Sequence, residues 1–303
     1  MEKPISKKQA YLMYIASLLI VGTIGLFRRA IPLSSGLLAF VRGLLGALSL
    51  IVFVKLRGGR IRRGMGRRTC LLLFLTGVVL SFNWMLLFEA YTYTTVAAAT
   101  LCYYFEPTIV LLLSPLLFGE KLTAKKLICA ALAIVGMVFI SGVTEQGGLP
   151  AGHLKGVAYG LGAACLYAAV VILNKKITGV DPYEKTIIEL GAAAITMLPY
   201  LLLTEDLRSV RLDGRTIVLL LIVGIVYTGL TYALYFGSME VLKAQTIAIL
   251  SYLDPVVALL VSIVLLHEPM SAAGLLGAAL ILGAALFSEY EPRGKEAETG
   301  PEN

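Results

Sequence analysis

Four ionisable side chains sit deep inside apolar runs: Arg42, Glu106, Glu189 and Asp254. A charged group at mid-depth in a bilayer costs about 2.5–3.5 kcal/mol on insertion scales, so each should face protein or water. Glu106 and Asp254 each precede a proline. Pro107 and Pro255 have no amide hydrogen, so each releases a backbone carbonyl and bends its helix. An acid at a mid-depth kink, once in each half of the chain, marks a central binding site with Pro107 and Pro255 as hinges. The alternative is structural: each carboxylate ties down its own kink or pairs with Arg42. One Arg cannot compensate two or three acids. The acid left without it is expected to take up a proton or the cationic group of a solute, which makes Glu106 and Asp254 the proton-coupling candidates.

Aromatic and polar residues share these depths. The eighth apolar run places Tyr227, Thr231 and Tyr235 on one i, i+4 stripe. The third carries Asn83 and Trp84, the fourth Tyr103 and Tyr104, the ninth Tyr252. Buried tyrosine hydroxyls and amides need partners. An interfacial aromatic belt accounts for Tyr11, Tyr14 and Tyr290, but poorly for mid-span Tyr103, Tyr104 and Tyr252. With Arg42 and the acids, these residues are the expected solute-binding set.

The elements that must position them repeat. A constant offset of 148 residues lays Tyr-Phe-Glu-Pro at 104–107 on Tyr-Leu-Asp-Pro at 252–255, and pairs Phe88 with Phe236, Ser114 with Ser262 and Phe139 with Phe287. Ten apolar runs of about 20 residues, each long enough to cross a ~30 Å hydrocarbon core, fall near 9–27, 32–54, 69–90, 94–118, 124–143, 154–174, 183–203, 215–238, 242–266 and 270–289. The fold class expected is an all-α integral membrane protein of ten transmembrane helices, arranged as two inverted-topology five-helix repeats around a central cavity. Five helices per copy is odd, so the second copy enters the membrane upside down. The repeats are placed at 8–143 and 153–290, with a turn-rich link at 144–152 and a polar, disordered tail at 291–303.

Of 303 residues 58% are hydrophobic and 15% charged, with mean hydropathy +0.85. This is too apolar for a soluble domain. The net charge of +7 is concentrated in the 55–68 connection, which reads as a positive-inside loop rather than a nucleic-acid patch. With a cytoplasmic N-terminus, the inside segments hold 19 of the 26 Lys and Arg, and the C-terminus is cytoplasmic too. The first run has no cleavage site after it and reads as a retained span. Cys70, Cys102, Cys129 and Cys165 have no paired spacing, and His153 and His267 lie in no ligand motif, so no metal is expected. Walker A, Gly-rich dinucleotide and GxSxG motifs are missing, so no cofactor is expected. Glu120 and Glu268 are read as turn or capping groups, and Thr123 and Ser271 as helix N-caps.

The residues resemble a known family. Glu-Pro followed by Leu-Leu-Phe-Gly-Glu-Lys-Leu-Thr recurs as Asp-Pro followed by Val-Leu-Leu-His-Glu-Pro-Met-Ser. This is similar to the EamA-type branch of the drug/metabolite transporter superfamily, over about residues 8–290. The resemblance implies a central cavity built mainly from helices 1–4 and 6–9, and movement of amino acids, related metabolites, nucleosides or drugs across the bacterial inner membrane, often outward. Arg42 matches an Arg common in helix 2 of such proteins. Val21-Gly22 departs from a Trp-Gly common in helix 1. Arg28 and Arg29, less usual there, would attract anions at the outer mouth.

The expected function is secondary transport, not enzymatic catalysis. It is export of small metabolites such as amino acids by alternating access, coupled to protons. The rival transport reading is efflux of cationic amphiphiles. A membrane enzyme acting on lipid-linked substrates would need an acid–base–nucleophile cluster at one interface. The expected partners are a small-molecule solute, the bilayer and protons, and not nucleic acid; the sequence is compatible with a monomer or a homodimer.

Overall fold

A computed structural model describes residues 6–59, 65–119, 123–140, 151–207, 210–239, 241–242 and 244–289. Arg60, Arg62, Arg63, Glu120, most of the 144–152 link and the 291–303 tail lie outside the described residues. Those described form helices and turns, with no strand among them. Among the described residues seven helices are long and apolar enough to cross a membrane: α1 (Lys7–Ala30), α2 (Ser35–Leu56), α3 (Arg67–Tyr93), α4 (Val96–Leu117), α6 (His153–Lys175), α7 (Pro182–Thr204) and α8 (Gly214–Met239). The expected runs near 124–143, 242–266 and 270–289 are helical but shorter. They are α5 (Ala124–Ile140), α9 in two pieces (Ala244–Ser251 and Leu253–Leu265), and α10 (Ala272–Glu289).

Helix starts are set by side chains that satisfy the first backbone donors. Ser34 accepts from the Leu37 amide, Thr95 from Ala98, and Asp181 from Tyr183 and Glu184. Thr123 and Ser271 act likewise on Lys126 and Gly274 at the starts of α5 and α10.

The prolines act where their chemistry requires. Pro107 cannot donate to Tyr103, nor Pro255 to Ser251, four residues back. The first piece of α4 ends at Tyr103 and the first piece of α9 at Ser251. Their continuations begin at Glu106 and Leu253. α1 is interrupted at Thr23, and α8 winds as a π-helix over Ile222–Leu230.

α3 packs on α6 and α7, α2 on α7 and α8, α1 on α8 and α9, α4 on α6 and α9, and α5 on α10. Small residues permit this closeness, since packing rather than hydrophobicity drives helix association in lipid. A Cβ at Gly156 would lie 2.7 Å from Thr94 Cβ, and one at Gly160 2.8 Å from Cys102 Cβ. A Cβ on Gly136 would lie 2.8 Å from the Gly277 carbonyl oxygen, and one on Gly277 2.7 Å from that of Gly136. Large apolar residues such as Leu116 and Leu203, 84% and 86% exposed, turn outward, as a lipid-facing surface requires.

The closest approach to the backbone of another helix is at Gly77 of α3, where a Cβ would stand 2.3 Å from the Glu189 carbonyl oxygen of α7. At Gly191, two residues along α7, a Cβ would meet nothing within 4 Å. Gly77→Ala should therefore cost about 1–3 kcal/mol through overpacking, while Gly191→Ala should be neutral or slightly stabilising. Thermal unfolding of the two variants in detergent checks this; equal melting temperatures would refute the contact.

Candidate functional site

The breaks in α4 and α9 face a cavity of about 480 Å³, open to the outside. Glu106, Pro107 and Ser114 of α4 line it with Tyr167 of α6, Ser251 and Tyr252 of α9, and, where α5 begins and α6 ends, Lys126 and Lys175. The Glu106 side chain makes no hydrogen bond or ion pair among the described residues, and its carboxylate is left to the cavity. Size and lining suit a small amphipathic solute: apolar and aromatic walls with few convergent polar groups.

Asp254 does not line this cavity. Its carboxylate accepts a hydrogen bond from the Tyr104 hydroxyl, joining α4 to α9 at the level of both breaks. α1 presses on the same point, for a Cβ at Gly22 would lie 2.8 Å from the Asp254 carbonyl oxygen. The two acids that match under the 148-residue offset thus differ in state: one faces the cavity, and the other is held by a tyrosine.

Arg42 pairs with neither acid. It is 6% exposed; its Nε donates to Thr228 Oγ1 at 3.1 Å, and its guanidinium lies 4.1 Å from the centre of the Trp84 ring and 5.8 Å from that of Phe88. The cation is satisfied by an aromatic face, which is most effective when water is excluded. Among the described residues it forms no salt bridge, because the acids sit on α4 and α9 while Arg42 packs between α3 and α8.

The remaining candidates scatter. Asn83 Nδ2 donates to the Ala163 carbonyl at 2.6 Å, fastening α3 to α6. Tyr103 stacks with Tyr167 at 5.3 Å and edges Tyr104 at 6.1 Å, next to the cavity. On α8, which is π-helical over Ile222–Leu230, Tyr227 and Tyr235 both face α1. Tyr227 turns to Thr23 and Phe27 of α1, Thr231 bonds back to the Val226 carbonyl, and Tyr235 packs on Tyr14. Tyr167 was missed, and so was the pairing of Thr228 with Arg42. Tyr167 is a mid-span tyrosine, the same signal that singled out Tyr103, whereas nothing in the sequence marks Thr228 as the partner of Arg42.

The arginines in the last turn of α1 are occupied by protein. Arg28 is buried and donates to the Phe88 and Ile31 carbonyls and to Ser35 Oγ. Arg29 Nη2 lies 2.6 Å from Glu268 Oε1 and 2.8 Å from the Thr94 carbonyl. Glu268 Oε2 accepts from the Val96 amide at 2.7 Å and from Ser262 Oγ at 2.6 Å. One carboxylate thus joins the end of α1, the start of α4 and the end of α9. The cluster sits at the Val96 end of α4, and the cavity runs along the half from Glu106 to Ser114, roughly 15–27 Å further on at 1.5 Å per residue. The bundle is latched at one end and open at the other.

A multi-pass helical membrane protein with a polar-based cavity open at one end has the form of a solute transporter. The EamA-like transporter family model matches the chain twice, over residues 8–142 and 154–290. The chain belongs to this family. It is 29% identical to the uncharacterized transporter YxxF of Bacillus subtilis over 290 residues, covering 95% of this chain and 92% of that one. It is 31% identical over 189 residues to a probable amino-acid metabolite efflux pump of Salmonella typhimurium, covering 59% of this chain and 62% of the pump. A solved crystal structure at 22% identity superposes with TM-score 0.64, covering 93% of this chain and 98% of the other, and shows the same fold.

Glu268→Gln removes the ion pair and weakens two further hydrogen bonds. At this partly exposed site the loss should be about 1–2 kcal/mol. Backbone amides at 94–98 should exchange at least several-fold faster by mass spectrometry, with exchange around Gly136 unchanged. Unaltered exchange at 94–98 would show that the cluster does not hold this end shut.

Proposed function

We propose that this protein is a secondary active transporter of small metabolites, with amino acids the favoured class, working by alternating access of two inverted five-helix halves, 8–143 and 153–290. The observation that carries the reading is the asymmetry of the bundle: a cavity at Glu106 open at one end, with the Arg29–Glu268 cluster at the other.

The packing supports the two-fold relation. Exchanging each helix for its partner under the 148-residue offset converts α3–α6 into α8–α1, α3–α7 into α8–α2, and α4–α6 into α9–α1, and returns α2–α7 and α5–α10 to themselves. Gly119 and His267, equivalent under that offset, both take left-handed backbone, with φ of 68° and 51°. Two halves of one fold in opposite orientation can exchange conformations, so the open end of one arrangement becomes the closed end of the other.

Glu106 is the proposed solute-contacting acid and proton-coupling group, with Tyr167 and Tyr252 as walls. With a cytoplasmic N-terminus, the cavity mouth at Lys126 and Lys175 faces the cytoplasm and loads solute for export. The name of the Salmonella relative favours amino-acid metabolites. The unpaired Glu106 carboxylate also favours a second reading, efflux of cationic amphiphiles. The plasma membrane is the proposed location.

Purified protein in liposomes, offered labelled amino acids and organic cations across an imposed pH gradient, decides between these. At least one class should move faster than in protein-free vesicles, and Glu106→Gln should lower that flux tenfold or more and abolish its response to the gradient. Wild-type flux in Glu106→Gln would remove the acid from the mechanism; no flux of any solute would remove the transport reading.

A further inference from the structure

Glu189 is a mid-depth acid of α7 that lies apart from the cavity. It is 6% exposed, and its Oε1 has no hydrogen-bond partner among the described residues. Its side-chain partner is Asn174, near the end of α6, whose Oδ1 is likewise buried and unpartnered. Both orphan atoms are acceptors. A buried acceptor without a donor is destabilising, and one hydrogen between the two would satisfy both.

The neighbours do not supply it. Lys185, one turn earlier on α7, gives its Nζ to the Asn174 carbonyl oxygen at 3.1 Å. Tyr167 of α6 and Tyr232 of α8 lie within electrostatic range. Arg42 of α2 is committed to Thr228 and Trp84. From α3 comes Gly77, which presses on the Glu189 backbone and carries no charge.

We propose that Glu189 and Asn174 form a proton-binding site, with Lys185 as its alternative partner. The carboxylate takes a proton from water onto Oε1 and donates it to Asn174 Oδ1, while the Asn174 amide nitrogen donates to the other carboxyl oxygen. An acid and a primary amide close such a two-bond ring only when the acid is protonated. When Glu189 is ionised, its best partner is Lys185, four residues away on the same helix face. Lys185 has three donors, so it can turn one to the carboxylate while its hold on the Asn174 carbonyl at the end of α6 is shared. Lys175, the next residue, lines the cavity, so a change at the end of α6 reaches the cavity wall. Only this last link rests on the transporter reading; the proton chemistry stands without it.

Infrared difference spectroscopy of the purified full-length protein, recorded across a pH titration, reads protonated carboxyl groups directly. Glu189→Gln, which keeps the shape and can pair amide to amide, should lose one carboxyl's share of the signal. Asn174→Ala should keep that band and shift its frequency, because the carboxyl loses its amide donor. An unchanged spectrum in Glu189→Gln, or an unshifted band in Asn174→Ala, overturns the site. The readout needs no solute movement. Signal without flux in liposomes retains the proton site and discards the transporter reading; flux with a Glu189→Gln spectrum equal to wild type does the reverse.

Discussion

A bilayer core supplies no hydrogen bonds, so every polar group at mid-depth must find its partner within the protein. Most of this molecule's interior follows from that. Arg42 lies against Trp84 and Thr228, Asp254 takes the Tyr104 hydroxyl, and Asn83 is tied to a carbonyl of α6. Two departures bear on function: Glu106 opens on a cavity, and Glu189 Oε1 and Asn174 Oδ1 are both buried acceptors without a donor among the described residues, as Asn83 Oδ1 also is.

The backbone obeys the same constraint by local means. The breaks in α4 and α9 fall at the residues whose carbonyls lose a donor to proline. Where α8 widens into a π-helix, Thr228 and Thr231 hydroxyls bond the Val223 and Val226 carbonyls. Small residues then let the helices close over these groups. Gly77 admits the Glu189 backbone, and Gly22 admits that of Asp254, so the acids are held by main-chain contact as well as by side chains.

The cluster at Glu268 links this interior to the ends of the bundle. A carboxylate expected to serve a local turn instead gathers α1, α4 and α9, with Arg29 as its counter-ion. At the end away from the cavity this polar cluster lies beside the buried apolar residues Ile31, Phe88 and Val96.

The depth of Glu106, the kinks before Pro107 and Pro255, the caps at Thr123 and Ser271 and the apolar runs were legible in the residues themselves. Each depends on chemistry within about one helical turn. Which acid faces the cavity, what holds Arg42 and which partners Tyr227 and Tyr235 find were not legible, because they depend on helices distant in the chain. Sequence by itself determined that polar groups lie buried at matching depths in a membrane-spanning chain of the EamA-like transporter family. Only the tertiary structure decided how they are partnered, since a buried charge is satisfied by whichever neighbour packing brings within about 3 Å, and that choice is not local.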